Sequence, residues 1–214
     1  MPSQRSGSAR IVPTDVCDPQ SVQRLVHDVV DVAGPPSLLV TCHGAPPCIK
    51  PSVEITLDEW RRVHQTDLYG TFLVCQEVGK VMLSQGMGCM VLLSSLHARQ
   101  SYPQRAVYAA AKAGVVGLMR ALAIEWGPSH LRVNAISPWQ VAGPRTQAMI
   151  DQEREDTGGN LLALYEKRAP LKRIVSGEDL AETVVYLSNN RSITGQNIVV
   201  DCGISSSIWY KEYE

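Results

Sequence analysis

Short apolar runs ending in polar turns alternate with helix-periodic segments along nearly the whole chain, which restricts the fold to an α/β class: a parallel sheet with helices on both faces. Parallel strands cannot be joined by a tight hairpin, so each run needs a crossover, usually a helix. Ala9 to Val12 reads as a short first strand. Asp18-Pro19 opens a helix with a capping residue followed by proline, and Val22, Leu25, Val26, Val29 and Val30 form its buried stripe. Gly34-Pro35-Pro36 stops it, and Ser37 to Thr41 is a buried strand ending at Cys42-His43-Gly44-Ala45. A long helix is expected over Leu57 to Gln85, with Thr56 as cap and Glu59 completing a capping box. A strand from Cys89 to Ser94, a helix from Val107 to Trp126 and a strand from Leu131 to Ile136 follow. Pro138 to Asn160, with prolines, glycines and the charges of Asp151 to Asp156, reads as a mobile surface segment with short helices. Ser176 starts a helix through Leu187, and Gln196 to Val200 is the last strand.

The 214 residues suit one domain, 1–214, with a substantial core. A net charge of −1 with interspersed acids and bases argues against nucleic acid as a partner. No uninterrupted run approaches the roughly 18 apolar residues of a membrane span. Met1 to Arg10 lacks an apolar signal core and reads as the flexible leader of a cytoplasmic or organellar-matrix protein without a secretory signal. The six cysteines show no C-x-x-C spacing, which favours free thiols in the core over disulfides or a metal site.

The chemistry-bearing residues are Ser95, Tyr108 and Lys112. On a helix, Tyr108 and Lys112 at i and i+4 share one face about 6 Å apart. A phenol is a poor base at neutral pH, and a neighbouring ammonium favours its phenolate. Ser95 ends the apolar run Met90 to Ser94, the carboxyl end of a parallel strand, where open α/β sheets place their sites. From there its hydroxyl can hydrogen-bond a substrate oxygen that exchanges a proton with Tyr108.

With those residues on those elements, the chain resembles the short-chain dehydrogenase/reductase family from about Ile11 to Gly203. Further segments match in order. Asp15-Val16 looks like the family's adenine-contacting pair, and Cys42-His43-Gly44-Ala45 stands where Asn-Asn-Ala-Gly is usual. Arg132 to Pro138 resembles the strand leading to the nicotinamide, and Ile193 to Gly203 the C-terminal strand and turn. Tyr108-Ala109-Ala110-Ala111-Lys112 and Pro35 to Val40 look most like 3-oxoacyl-acyl-carrier-protein reductases and hydroxysteroid dehydrogenases. The resemblance implies a Rossmann-like sheet and hydride transfer between NAD(P) and a small ketone or secondary alcohol. Tyr108 is then proton donor or acceptor, Lys112 its activator and a ribose ligand, and Ser95 the group orienting the substrate. Asp15, Val16, Cys42, His43, Gly44, Tyr108, Lys112, Pro138, Trp139 and Val141 are the implied cofactor contacts, and His97 joins Ser95 and Tyr108 on the substrate side. His43 also suits simple loop packing. The choice between NAD and NADP is not encoded in these segments, and the expected lid, 141–170, shows only charge and flexibility.

Several departures bear on activity. The chain contains no Gly-x-x-x-Gly-x-Gly turn to cradle a pyrophosphate, and only ten residues precede Ile11, so the family's first strand-helix-strand unit is expected to be missing, as in a truncated isoform. That absence should leave an apolar strand edge. Asp67 replaces the asparagine of the family's proton relay and is expected to act beside Lys112. Trp139 replaces a glycine next to the nicotinamide, and Gly143 stands where a threonine contacts the carboxamide. Trp209 and Tyr210 suit a C-terminal tail packed near a subunit interface. The helices beginning near Leu57 and Gln104 imply a homo-oligomer, dimer or tetramer. A second reading is a catalytically silent interaction protein that associates with full-length relatives.

Overall fold

The computed structural model describes residues 9–206. Four parallel strands, β1 (Leu38–Thr41), β2 (Gly88–Leu93), β3 (Leu131–Pro138) and β4 (Asn197–Val200), lie side by side in chain order. Val40 pairs with Val91, Leu92 with Ala135, and Ser137 with Val199. All four carboxyl ends therefore gather along one edge, which opens toward the loops after β1, β2 and β3.

Alternation along the strands sorts their side chains to two covered faces. Met90, Leu92, Val133 and Ala135 share a core with α1 (Pro19–Ala33), α3 (Thr71–Gln85) and α4 (Ala106–Trp126) through Val26, Val78, Val115 and Met119. On the opposite face Cys89, Val91 and Ile136 pack against Leu187 of α7 (Gly177–Asn189). Each such fully buried large side chain contributes roughly 1.5–3 kcal/mol. α4 is long and apolar enough to cross a bilayer by length and composition alone. The same composition serves the core, where Val107, Ala111, Val115 and Met119 are buried against the sheet and its neighbours.

The caps fall where side-chain chemistry put them. Asp18 accepts from Gln20 N–H at the start of α1, and capping boxes form at Thr56/Glu59 and Ser176/Asp179. All six cysteines are free.

Four expectations change. Ala9 to Val12 is not a strand: no strand among the described residues pairs with it, and Ile11 is 91% exposed. An isolated apolar stretch has no backbone partners to hold it extended in a sheet. The long helix is instead α2 (Leu57–His64), a π-helical stretch (Gln65–Gly70) and α3. β3 continues to Pro138, and the segment read as surface with short helices contains the 14-residue α5 (Pro144–Thr157), followed by α6 (Leu161–Arg168). α5 starts on Pro144, a favourable first helical residue that reads as a breaker when its position is unknown. The apolar edge is found on β1, where Leu38 is 38% exposed and no described strand covers the outer side. Trp209 and Tyr210 lie outside the described residues.

Candidate active site

Two local devices bring the site together. Ser94 Oγ donates to the Lys112 carbonyl (2.9 Å), tying the first turns of α4 to the end of β2. The π-helical stretch is gripped from both sides where glycines allow close approach: a Cβ on Gly70 would stand 2.9 Å from Val16 Cγ2, and one on Gly114 of α4 would stand 2.8 Å from Leu68 Cδ2. Widening a helix by one residue per turn re-aims its side chains, and such bulges recur at functional sites. Here the bulge carries Asp67, fully buried, to Lys112.

Asp67 Oδ1 accepts the Ala45 N–H at 2.6 Å, and Oδ2 lies 3.6 Å from Lys112 Nζ. At that separation the contact is Coulombic, and Oδ2 has no hydrogen-bond donor. Lys112 Nζ donates to the Leu93 carbonyl at 3.1 Å and sits 5.7 Å from the centroid of the Tyr108 ring. Ser95 is buried, and its Oγ accepts the His97 N–H at 3.2 Å, which leaves its own proton to donate.

Ser95, His97, Tyr108, Pro138, Trp139 and Val141 line one cavity of about 310 Å3. His97 meets the Tyr108 ring edge-on (5.7 Å, 76°), and its Nδ1 lies 3.2 Å from Ser101 Oγ. Burial, reinforced by the Arg105 charge, pushes His97 down to about 4, so it is neutral at physiological pH. Trp139 takes its bulk sideways: its Nε1 donates to Tyr102 Oη at 2.8 Å and its ring meets Tyr165 of α6 at 5.4 Å. The missing small residue is thus offset by an aromatic cluster with the segment read as a lid.

The remaining expected cofactor contacts stand outside the residues that line this cavity. His43 Nε2 is 3.2 Å from Thr71 Oγ1, and burial together with the Lys112 charge lowers its pKa. Cys42 is exposed, and a Cβ placed on Gly44 would stand 3.6 Å from both Asp67 Oδ1 and Arg145 Nη1. Asp15 and Val16 do not line the cavity. Asp15 spends Oδ1 on the Cys17 N–H, and Val16 packs against Gly70. Arg105 and Arg145 line the cavity and Tyr102 braces Trp139, and sequence reasoning missed all three. Arg105 precedes Tyr108 by one helical turn, a signal that was present; Arg145 and Tyr102 sit on segments with no local pattern.

The residues around Lys112 fit the ribose end of a dinucleotide. Lys112 Nζ retains donor capacity for a sugar hydroxyl, while the fully buried Asp67 behind it supplies the counter-charge. No Gly-x-x-x-Gly-x-Gly turn exists in the chain to hold the pyrophosphate.

A parallel sheet whose carboxyl edge opens into such a cavity defines a Rossmann-like α/β protein. The profile of the family described as Enoyl-(Acyl carrier protein) reductase matches residues 2–205. D-threitol dehydrogenase of Mycolicibacterium smegmatis is 34% identical over 199 residues, covering 92% of this chain and 74% of that protein. The short-chain dehydrogenase/reductase eriH of Hericium erinaceus is 33% identical over 199 residues, covering 91% and 75%. Among solved structures, levodione reductase superposes with a TM-score of 0.86 at 27% identity, covering 91% of this chain and 76% of that one. The chain belongs to the short-chain dehydrogenase/reductase family, a family of NAD(P)-dependent oxidoreductases.

Proposed function

We propose that this chain interconverts a ketone and a secondary alcohol, with Tyr108 as the acid/base. The observation that carries this reading is the arrival of Ser95 and Tyr108, from different elements, at one cavity with the Lys112 ammonium beside the tyrosine ring. NAD(P), when bound, supplies or takes up the hydride. In the reductive direction Ser95 donates its free proton to the substrate oxygen and fixes its position. Tyr108 Oη delivers a proton to the same oxygen as charge develops there. Lys112 stabilises the phenolate left behind, and Asp67 holds the ammonium in place from below. Trp139 forms one wall of the cavity, held by its hydrogen bond to Tyr102 and its ring contact with Tyr165. D-threitol and levodione, which the relatives' names give as substrates, make compact hydroxy and carbonyl compounds the first to try.

Titrating NADH and NADPH while following nucleotide fluorescence tests the reading, with Tyr108→Phe as the second arm. Saturable binding that survives Tyr108→Phe while ketone turnover disappears is the expected result. Absence of binding at millimolar nucleotide favours the alternative, a catalytically silent protein that associates with longer relatives. That alternative draws on the β1 edge, which no described strand covers. A homo-oligomer is part of the proposal: Trp60, Tyr69 and Phe72 stand partly exposed around an apolar groove with Leu118, and light scattering would report a dimer or tetramer.

A further inference from the structure

Arg105, at the cap position of α4, and Arg145, in the first turn of α5, both line the cavity that holds Tyr108 and Ser95. The Arg145 guanidinium lies 5.7 Å from the centroid of the Tyr108 ring. No Asp or Glu lines that cavity, and neither arginine forms an ion pair with a carboxylate among the described residues. The nearby acids are engaged: Asp67 with the Ala45 N–H and Lys112, Glu153 with Thr157. The two guanidinium groups feel each other: burial first, and the Arg145 charge after it, lower the Arg105 pKa, while the neighbouring tyrosines oppose the shift. Two unpaired like charges facing a partly desolvated cleft repel, and an anion placed between them turns repulsion into two charge-assisted, fork-shaped hydrogen-bond pairs. The first turn of α5 adds N–H groups without intrahelical acceptors on the same side. His97 stays neutral and competes for no anion.

We infer that the substrate is a small carbonyl or hydroxy compound bearing an anionic group, carboxylate or phosphate, which Arg105 and Arg145 hold beside Tyr108. The inference rests on the proposed oxidoreductase reading. A cavity of about 310 Å3 suits such a compact molecule.

The test is binding to the purified full chain, read through intrinsic fluorescence, in two matched pairs: acetoacetate against methyl acetoacetate, and dihydroxyacetone phosphate against dihydroxyacetone. The anionic member of at least one pair should bind about tenfold tighter or more, and that pair identifies carboxylate or phosphate. Arg105→Gln and Arg145→Gln should each remove most of that preference while leaving the melting temperature and the neutral ligand's affinity unchanged, and Arg145→Lys should restore part of it. Equal affinity within both pairs overturns the inference. So does a loss of NADPH affinity in Arg145→Gln with the anion preference intact, because the guanidinium would then belong to the nucleotide. NADH and NADPH titrations of the same protein separate the two claims: nucleotide binding without anion preference removes only this inference. Anion preference without nucleotide binding removes the enzyme reading and the substrate assignment with it.

Discussion

Lys112 Nζ stands 3.6 Å from Asp67 Oδ2 in a pair almost wholly withdrawn from water, with side-chain exposures of 6% and 0%. One oxygen of that carboxylate is satisfied by a backbone N–H and the other only by the lysine's charge. The pair joins the π-helical stretch to α4 and sets the charge beneath Tyr108. Because both ions are desolvated, removing one leaves the other uncompensated.

Asp67→Asn keeps an acceptor for the Ala45 N–H but removes the counter-charge, and should cost about 3 kcal/mol of stability. Asp67→Ala also orphans the Ala45 N–H and should cost about 1–3 kcal/mol more. Denaturant midpoints check both, and an Asn variant as stable as the parent would show that the pair contributes nothing net.

Ser95→Ala should lower turnover about 100-fold or more through loss of the substrate-orienting proton, with nucleotide affinity little changed. The variant also strips the acceptor from the His97 N–H, a loss of about 1 kcal/mol. Steady-state kinetics alongside nucleotide titration separate the two effects, and unchanged turnover would take Ser95 out of the mechanism.

Acid should destabilise the protein through His97. Its folded pKa is about 4 against 6.5 in the unfolded chain, so between those values the unfolded chain binds a proton that the folded chain refuses. The contribution is complete above the unfolded value and is lost as pH falls toward the folded one. Melting temperatures of the parent should therefore fall more steeply from about pH 7 to about pH 4 than those of His97→Gln. Parallel slopes would mean that the ring is hydrated enough to protonate in place.

Two glycines should respond oppositely to alanine. Gly70 would drive a Cβ against Val16 Cγ2 at 2.9 Å and the Val16 carbonyl at 3.2 Å, so Gly70→Ala should cost about 1–3 kcal/mol. Gly117 on α4 faces open space, and Gly117→Ala should stabilise by about 0.5–1 kcal/mol. Thermal melts of the two variants decide, and a neutral Gly70→Ala would show that the bulge moves freely.

Much of the fold was legible because it is written at short range. The Thr56/Glu59 capping box and the Ser176 start of α7 rest on contacts within a turn, and the Tyr108–Lys112 spacing follows from a helix repeat. Ala9 to Val12 was misread for the complementary reason: a strand exists only where another strand accepts its hydrogen bonds. The bulge at Gln65–Gly70 was equally hidden, since its cause is close packing against Val16 and Gly114 rather than any local composition.

Sequence alone determined the strand-helix alternation, the caps and the tyrosine-lysine face, since each depends on residues a few positions apart. Tertiary structure decided what surrounds them: Asp67 meeting Lys112 across 45 positions of chain, Trp139 turned into Tyr102 and Tyr165, and Arg145 brought over Tyr108. Those contacts join segments whose approach is set by how helices pack on the sheet, and a side chain's electrostatic partner is known only once that packing exists.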